Sequence, residues 1–339
     1  MDQIDLKRTL EESHLEETLA DLGEKELLNR LKKYMDIGQI DDDTALIKEV
    51  NNKLLLNTDA LVENVHFSEI NSSPEDIGWK AITSNLSDLV SSGADQFLYI
   101  SIGLIAPPET RWQWIEGVYE GMYTALNKFG GKIIGGDCSK GKEKIICITA
   151  IGSLGKLRLH RSNAKPGDQL IASGKHGLSR LGLALLMNEP LENKQSLKES
   201  LKKQAVKAHK RPSPQVEAFQ KLTQCKPKHL PWRAAGTDSS DGLKAAIESI
   251  CESSRCQAEL DASLLPKPDN WPNGAMWNDW CLHGGEDYEL ILSLPPAWGN
   301  AFTEVFPDAK QIGTIKSGSP KIIWKNESPI INSSEFKHY

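Results

Sequence analysis

No stretch of this sequence approaches the roughly 18 uninterrupted apolar residues of a membrane span. The longest apolar run, Ile145 to Ile151, is already broken by Thr149. The N-terminus is rich in Asp and Glu and has no basic segment followed by an apolar one, which argues against a secretory signal. Phosphate-loop and dinucleotide fingerprints are missing: there is no G-x-x-x-x-G-K-[ST], and no G-x-G-x-x-G after a strand. G-x-S-x-G and H-E-x-x-H are absent too, which weighs against a serine hydrolase or a zinc peptidase. Positive charge is not in excess. Lys and Arg number 40 against 46 Asp and Glu, a net charge of −6, which argues against a general nucleic-acid binder because counterion release needs clustered cations, and leaves room only for a local basic site. None of the six cysteines (Cys138, Cys147, Cys225, Cys251, Cys256, Cys281) stands in a C-x-x-C pair, and no His near Cys251 and Cys256 completes a zinc site. They read as free thiols of a reducing cytosol.

What remains is a 339-residue chain, 39% apolar and 25% charged, long enough for two domains. The polar, acidic residues 1–23 read as an arm or short helix. Glu24 to Met35 reads as an amphipathic helix with Leu27, Leu28 and Leu31 on one side. Thr44 to Lys48 and Leu54 to Thr58, around Asn51-Asn52, suggest a hairpin. Ser73 as cap and Pro74 in the first turn open a helix that Gly93 ends. Further on come a strand at 97–106, a helix at 109–129, and strands at 132–134 and 144–154. From about Gly155 a second unit follows. It has strands at 169–172, before Asp238, at 257–260, 288–294 and 322–324, and helices at 178–187, 197–209, 214–224 and 241–253. The stretch 266–280, with Pro266, Pro268 and Pro272, reads as a loop. The fold class is therefore α/β or α+β, with a domain boundary placed at 155/156.

Aspartate sits where its propensity is poor: in a row at Asp41, Asp42 and Asp43, at the strand end Asp59, inside the apolar helix at Asp88, and at Asp137, Asp238 and Asp241. Each alone has an ordinary reading, as a solvated turn, a helix cap or an exposed helix residue. Together they read as hard oxygen ligands for several Mg²⁺ ions facing a polyphosphate, since so many like charges would otherwise repel. Gly135-Gly136 and Gly284-Gly285 allow close backbone approach to phosphate, although a lone Gly-Gly is more often a turn.

The ordered motifs resemble the thiamine-monophosphate kinase family. They are Asp41-Asp-Asp-Thr-Ala-Leu-Ile47, Asn57 to Phe67, Gly78 to Leu89 with Gly93-Ala-Asp95, Ile134-Gly-Gly-Asp137, Arg161 to Asp168, Arg211-Pro-Ser-Pro214, Asp238-Ser-Ser-Asp-Gly-Leu243 and Gly284-Gly-Glu-Asp-Tyr-Glu-Leu290. Singly they are weak; in this order they cover about 22–339. The resemblance implies a 1–155 domain that binds ATP and Mg²⁺ and dimerises through its mixed sheet. It also implies a 156–339 α/β domain that completes the cleft, and a homodimer in the cytoplasm acting on thiamine monophosphate and ATP, with neither nucleic acid nor membrane as partner. The implied metal ligands are Asp43, Asn57, Thr58, Asp59, Asp88, Asp137, Asp238 and Asp241. The implied ATP contacts are Asp43, Tyr119, Gly136, Asp137, Arg161 and Ser240, and the implied substrate contacts are His66, Glu286 and Phe336. No general base and no covalent nucleophile is expected. Three positions depart from the family pattern: Asp41 replaces a glycine, Asn57 a Ser or Thr, and Cys138 a Thr. Another ATP-using member of the same superfamily, or a non-catalytic metal–nucleotide binder, is the competing reading.

Overall fold

The computed structural model describes residues 17–35, 53–192, 195, 197–326 and 328–329. Asp41, Asp42 and Asp43, the strand expected at Thr44 to Lys48, and Phe336 lie outside the described residues. The chain divides into two compact units. One holds the described residues up to Asn85 together with Gln96–Gly152; the other holds Leu86–Asp95 and the chain from Ser153 on.

Helix α1 (Leu19–Leu31) starts earlier than its apolar spacing predicts. Thr18 explains this: its Oγ1 accepts the Asp21 N–H at 3.3 Å, while the Asp21 carboxylate accepts the Thr18 N–H at 3.0 Å, a reciprocal capping box. Gly23, at φ 69°, kinks the helix just beyond that turn, which is why the pattern reads as helical only from Glu24. Then follow β1 (Leu54–Val62), α2 (Pro74–Ser92), β2 (Ala94–Ala106), α3 (Trp112–Phe129), β3 (Lys132–Lys140) and β4 (Ile145–Leu154), and the four strands form a sheet in the order β1-β4-β2-β3. Strand β3 outruns the expected 132–134 because its two glycines remain in register with β2, after Ile134 bulges out between the pairs Ile100–Ile133 and Ser101–Gly135. Ile100, Ile102, Leu104, Ile146, Ile148 and Ala150 are buried, and the alternate residues of β2 and β4 are half-exposed.

Glycines set the distance between α2 and α3. A Cβ on Gly78 would lie 1.8 Å from the Val118 carbonyl oxygen, and one on Gly121 would lie 2.0 Å from that of Glu75. Backbone cannot yield as a side chain does. Gly121→Ala is therefore expected to destabilise the protein by about 1–3 kcal/mol or more, read as a lower denaturant midpoint. An unchanged midpoint would mean that the helices separate freely.

The second unit orders its strands β10-β7-β9-β5-β8-β6. In chain order its elements are β5 (Gln169–Ala172), α4 (Leu178–Leu186), α5 (Glu199–Lys210), α6 (Val216–Gln224), β6 (Ala235–Asp238), α7 (Leu243–Ser254), β7 (Gln257–Leu260), α8 (Ala275–His283), β8 (Leu290–Leu294), α9 (Pro296–Val305), β9 (Lys310–Lys316) and β10 (Lys321–Trp324). Only β10 and β7 run parallel; the other neighbours are antiparallel. Strand β8, buried at every residue, lies between β5 and β6. Leu170, Ala235, Ile247, Ile250, Ile291 and Ile312 form its main core.

The loop expected at 266–280 is a correction: it contains most of α8. Trp277 and Trp280 stand three apart on that helix and pack with Trp271, Leu181 and Ala205 in a second core. Nine residues are too few for a helical period to show behind three prolines. Asp168, which closes the connector from Arg161, is buried. It accepts two bonds from Arg233, at 2.7 and 2.8 Å, one from the Ser293 hydroxyl at 2.8 Å and one from the Lys165 N–H at 2.9 Å. All six cysteines are free thiols.

Candidate active site

The residues singled out by sequence fall in two sets. In the first unit, β1 carries Asn57, Thr58 and Asp59. Asn57 Nδ2 donates to Asn85 Oδ1 of α2 at 3.0 Å, whereas the Thr58 hydroxyl is 2.9 Å from that of Thr149 on β4. Side chains alternate along a strand, so Asn57 and Asp59 face the α2 side and Thr58 the other. Thr58 can offer a cation on the α2 side only its backbone carbonyl. His66 closes the turn after β1: its Nδ1 accepts the Val62 N–H at 3.1 Å, and its own N–H donates to the Val62 carbonyl at 2.9 Å.

Strand β3 presents Gly136 and Asp137. A Cβ on Gly136 would lie 1.9 Å from the Ile102 carbonyl oxygen, so the strand contact itself requires glycine. Asp137 is exposed and accepts the Ser139 hydroxyl at 2.9 Å. The intervening Cys138 faces the opposite way, toward Tyr119. Tyr119 is buried with its ring centroid 5.4 Å from that of Tyr34, and burial first, then Cys138 and Tyr34, push its phenol well above the ordinary range.

In the second unit, β6 ends at Asp238 and the turn Ser239–Gly242 leads into α7. The Asp238 carboxylate is buried and accepts the Ser87 hydroxyl at 2.7 Å and the Ser240 hydroxyl at 3.3 Å. Loss of solvent raises its pKa and the neighbouring Asp241 adds to this; the two hydroxyls and Arg161 oppose it. Asp88 follows Ser87 on α2. Arg161 donates through Nε to the Thr237 hydroxyl at 3.1 Å. The Glu286 N–H donates to the Ser240 carbonyl at 2.7 Å, which joins the loop 284–288 to the acidic turn. That loop holds Gly285, Glu286 and Tyr288 at φ 66°, 56° and 53°, the last two being side-chain-bearing residues in a costly region. Glu286 reaches His209 Nδ1 at 3.3 Å.

Sequence reasoning missed the groups behind these. Asp287 accepts the N–H groups of Gly177 and Ser179 at 2.6 and 3.0 Å, supplying the cap that α4 lacks, and burial pushes its pKa up to about 7. Glu289 accepts the Ser173 hydroxyl and lies against Gly174, and burial pushes its pKa up to about 8. Both lie in the Gly284 to Leu290 motif, which was the available signal, as Ser87 and Ser239 lie in the Gly78 to Leu89 and Asp238 to Leu243 motifs; His176 had none.

The Glu289 shift has a sign. A carboxyl with a raised folded pKa contributes stability in full below its unfolded value near 4.5, and that contribution is lost as pH rises through about 8. Glu289→Gln removes the ionisation. Its melting temperature, relative to the parent, should climb from about pH 5 to about pH 8 and level off above. A pH-independent difference would place the ionisation elsewhere.

The donors fit a hard divalent ion. They are carboxylates, hydroxyls and carbonyls, and the buried Asp238 carries a pKa raised by lost solvent and by Asp241 beside it. Among the described residues no three His, Cys, Asp or Glu side chains gather at one point. Mg²⁺ needs no such cage: one or two carboxylates plus substrate phosphates suffice. Among the described residues no helix is long and apolar enough to cross a membrane.

Residues 41–154 match the family described as AIR synthase related protein, N-terminal domain. Thiamine-monophosphate kinase of Prochlorococcus marinus is 55% identical over 332 residues, 97% of this chain and 100% of that one. The protein of the same name from Bacillus subtilis is 35% identical over 76% of this chain and 77% of its own. Among solved structures, thiamine monophosphate kinase from Aquifex aeolicus matches with a TM-score of 0.69 and 27% identity, covering 93% of this chain and 100% of that one. AaThiL complexed with AMPPCP and TMP matches at 0.72 and 28%, covering 95% and 99%. With that identity sustained from end to end, and with two mixed sheets folded as in those structures, the chain belongs to the thiamine-monophosphate kinase family.

Proposed function

We propose that this chain transfers the γ-phosphoryl group of ATP to thiamine monophosphate, giving ADP and thiamine diphosphate, the last step of thiamine diphosphate formation. The observation that carries this reading is the 55% identity to a named kinase over 97% of the chain. The solved relative with AMPPCP and TMP supports the same pair of ligands.

A phosphate monoester has a second pKa near ~6, so the acceptor is mostly a dianion at neutral pH and attacks without a general base. The work left to the protein is to bring two anions together in line. Arg161 is a forked donor suited to phosphate, and Ser240 adds a hydroxyl. Asp59, Asp88, Asp137, Asp238 and Asp241, with Asn57, the Thr58 carbonyl and Asp43, would hold Mg²⁺. When bound, Mg²⁺ neutralises phosphate charge. His66, Glu286 and Phe336 would bind the acceptor. Homodimerisation has a physical motive: Leu54 and Leu56 on β1 are exposed, and Ile105, Ile145 and Ile151 are half-exposed on the same sheet. A cytoplasmic setting follows from the use of ATP.

The test is ATP turnover with and without thiamine monophosphate, with products followed by phosphorus resonance. ADP and thiamine diphosphate in equal amounts are expected. ATP hydrolysis indifferent to the acceptor would overturn the reading in favour of another ATP-using relative, and no turnover at all would favour a non-catalytic binder.

A further inference from the structure

The residue between Asp238 and Ser240 turns its side chain inward. Ser239 is 0% exposed, and so is His176, whose Nε2 stands 3.0 Å from the Ser239 hydroxyl. The tautomer follows from the other ring nitrogen. Nδ1 lies 3.2 Å from the Gly174 carbonyl, which can only accept, so Nδ1 carries the hydrogen and Nε2 receives the Ser239 O–H. The Glu289 N–H donates to the Ser239 oxygen at 3.1 Å, and the Ser239 N–H donates to the Glu289 carbonyl at 2.9 Å. His176 is itself tethered, its N–H donating to the Pro266 carbonyl at 2.9 Å. Both ring nitrogens of His176 and the hydroxyl of Ser239 are thus used within the interior. None of these bonds goes to the side chains of Asp238, Ser240 or Asp241.

We propose that the buried His176–Ser239 pair is a positioning device for the acidic turn, setting the spacing of the Asp238 and Asp241 carboxylates and the Ser240 hydroxyl. The pair acts through the backbone. It anchors the side chain of the residue whose N–H donates to the Glu289 carbonyl and whose carbonyl accepts the Gly242 N–H, so the backbone of the turn is held at Ser239 from both the side chain and the main chain. Asp238 has an independent hold in Ser87, and Ser240 is tied to Asp238 through its hydroxyl and to the Glu286 N–H through its carbonyl, so the pair governs how these ties are spaced from Ser239 and where Asp241 stands beyond them. Without the pair, the turn keeps one carboxylate in place and loses the register of the other groups. The inference rests on the reading that this turn receives a Mg²⁺–nucleotide.

The experiment is calorimetric titration of Mg²⁺ with a non-hydrolysable ATP analogue into the parent chain, Ser239→Ala, His176→Ala and His176→Gln. Kinetics for both substrates and melting curves run alongside. Ser239→Ala and His176→Ala should weaken Mg²⁺–nucleotide binding at least ~10-fold, about 1.4 kcal/mol, and leave the Michaelis constant for thiamine monophosphate within about twofold, well short of that tenfold. His176→Gln, whose Oε1 can accept the Ser239 O–H, should recover most of the loss. Should His176→Ala not fold, Ser239→Ala decides, since it removes a single oxygen. Lower melting temperatures with unchanged nucleotide affinity would reduce the pair to a structural contact and overturn the proposal. A parent chain that binds the nucleotide but does not phosphorylate the acceptor would overturn the proposed reaction and leave this inference standing. A parent chain with no affinity for Mg²⁺–nucleotide overturns both.

Discussion

Asp238→Asn is expected to slow phosphoryl transfer by about 10²–10³-fold while raising the melting temperature of the ligand-free protein. The two effects share one cause. The carboxylate is buried, and loss of solvent is the chief influence on its pKa, with Asp241 adding repulsion. A neutral amide of the same shape removes both penalties. The Ser87 and Ser240 hydroxyls can rotate to accept from it, so their bonds need not be lost. Function needs the charge that stability does not: an amide oxygen is a much weaker partner for a hard cation beside phosphate. Steady-state kinetics over a Mg²⁺ series, with melting curves in chelator, measure both. Near-parental turnover would remove Asp238 from the metal set. A fall in melting temperature would show that the carboxylate holds the unit together rather than straining it.

Arg233→Met should produce the largest loss of stability, about 3–5 kcal/mol. It leaves the buried Asp168 with one hydroxyl and one amide in place of a forked guanidinium. At roughly 2–4 °C per kcal/mol for a unit of this size, melting should fall by about 6–20 °C. The double variant Asp168→Asn with Arg233→Met should regain much of this, because no unpaired charge remains. Turnover below the transition should be close to that of the parent. A double variant no better than the single one would mean that Arg233 acts through packing alone.

Most of the fold was legible because its long elements are strongly patterned. The 19-residue α2 carries Ser73, Pro74 and Gly93 as its own punctuation, and β4 stands out as the longest apolar run of the chain. The failures share a physical form. Helix α1 began at a cap outside its apolar stripe, and α8 was hidden by prolines and read as a loop. Strand β9, with charged or polar residues at Lys310, Gln311, Thr314 and Lys316, and α9, with Pro296 and Gly299 in its first turn, passed unnoticed. At the site, carboxylates announced themselves by standing where propensity disfavours them. The face each side chain takes was not legible: Thr58 turns away from Asn57, and Cys138 from Asp137, by strand alternation that only the register fixes. Least visible were neutral partners such as Ser87 and Ser239, ordinary residues whose importance lies in what they touch.

The second unit borrows Leu86–Asp95 from between the pieces of the first, and this bears on how the chain is made. Ser87 must find Asp238, and Gly93, where a Cβ would lie 2.1 Å from the Leu157 carbonyl oxygen, must lie against a later segment. On a ribosome adding about 5–20 residues per second, the borrowed segment emerges on the order of tens of seconds before the last strand of its unit. During that interval α2 already exists, while its final turns lack the partners they will keep. A fragment cut at 155/156, where the sequence places its boundary, would leave those turns without their partners. The C-terminal piece of the same cut would be born without the Ser87 hydroxyl that holds Asp238, and its failure to fold would say nothing about the enzyme.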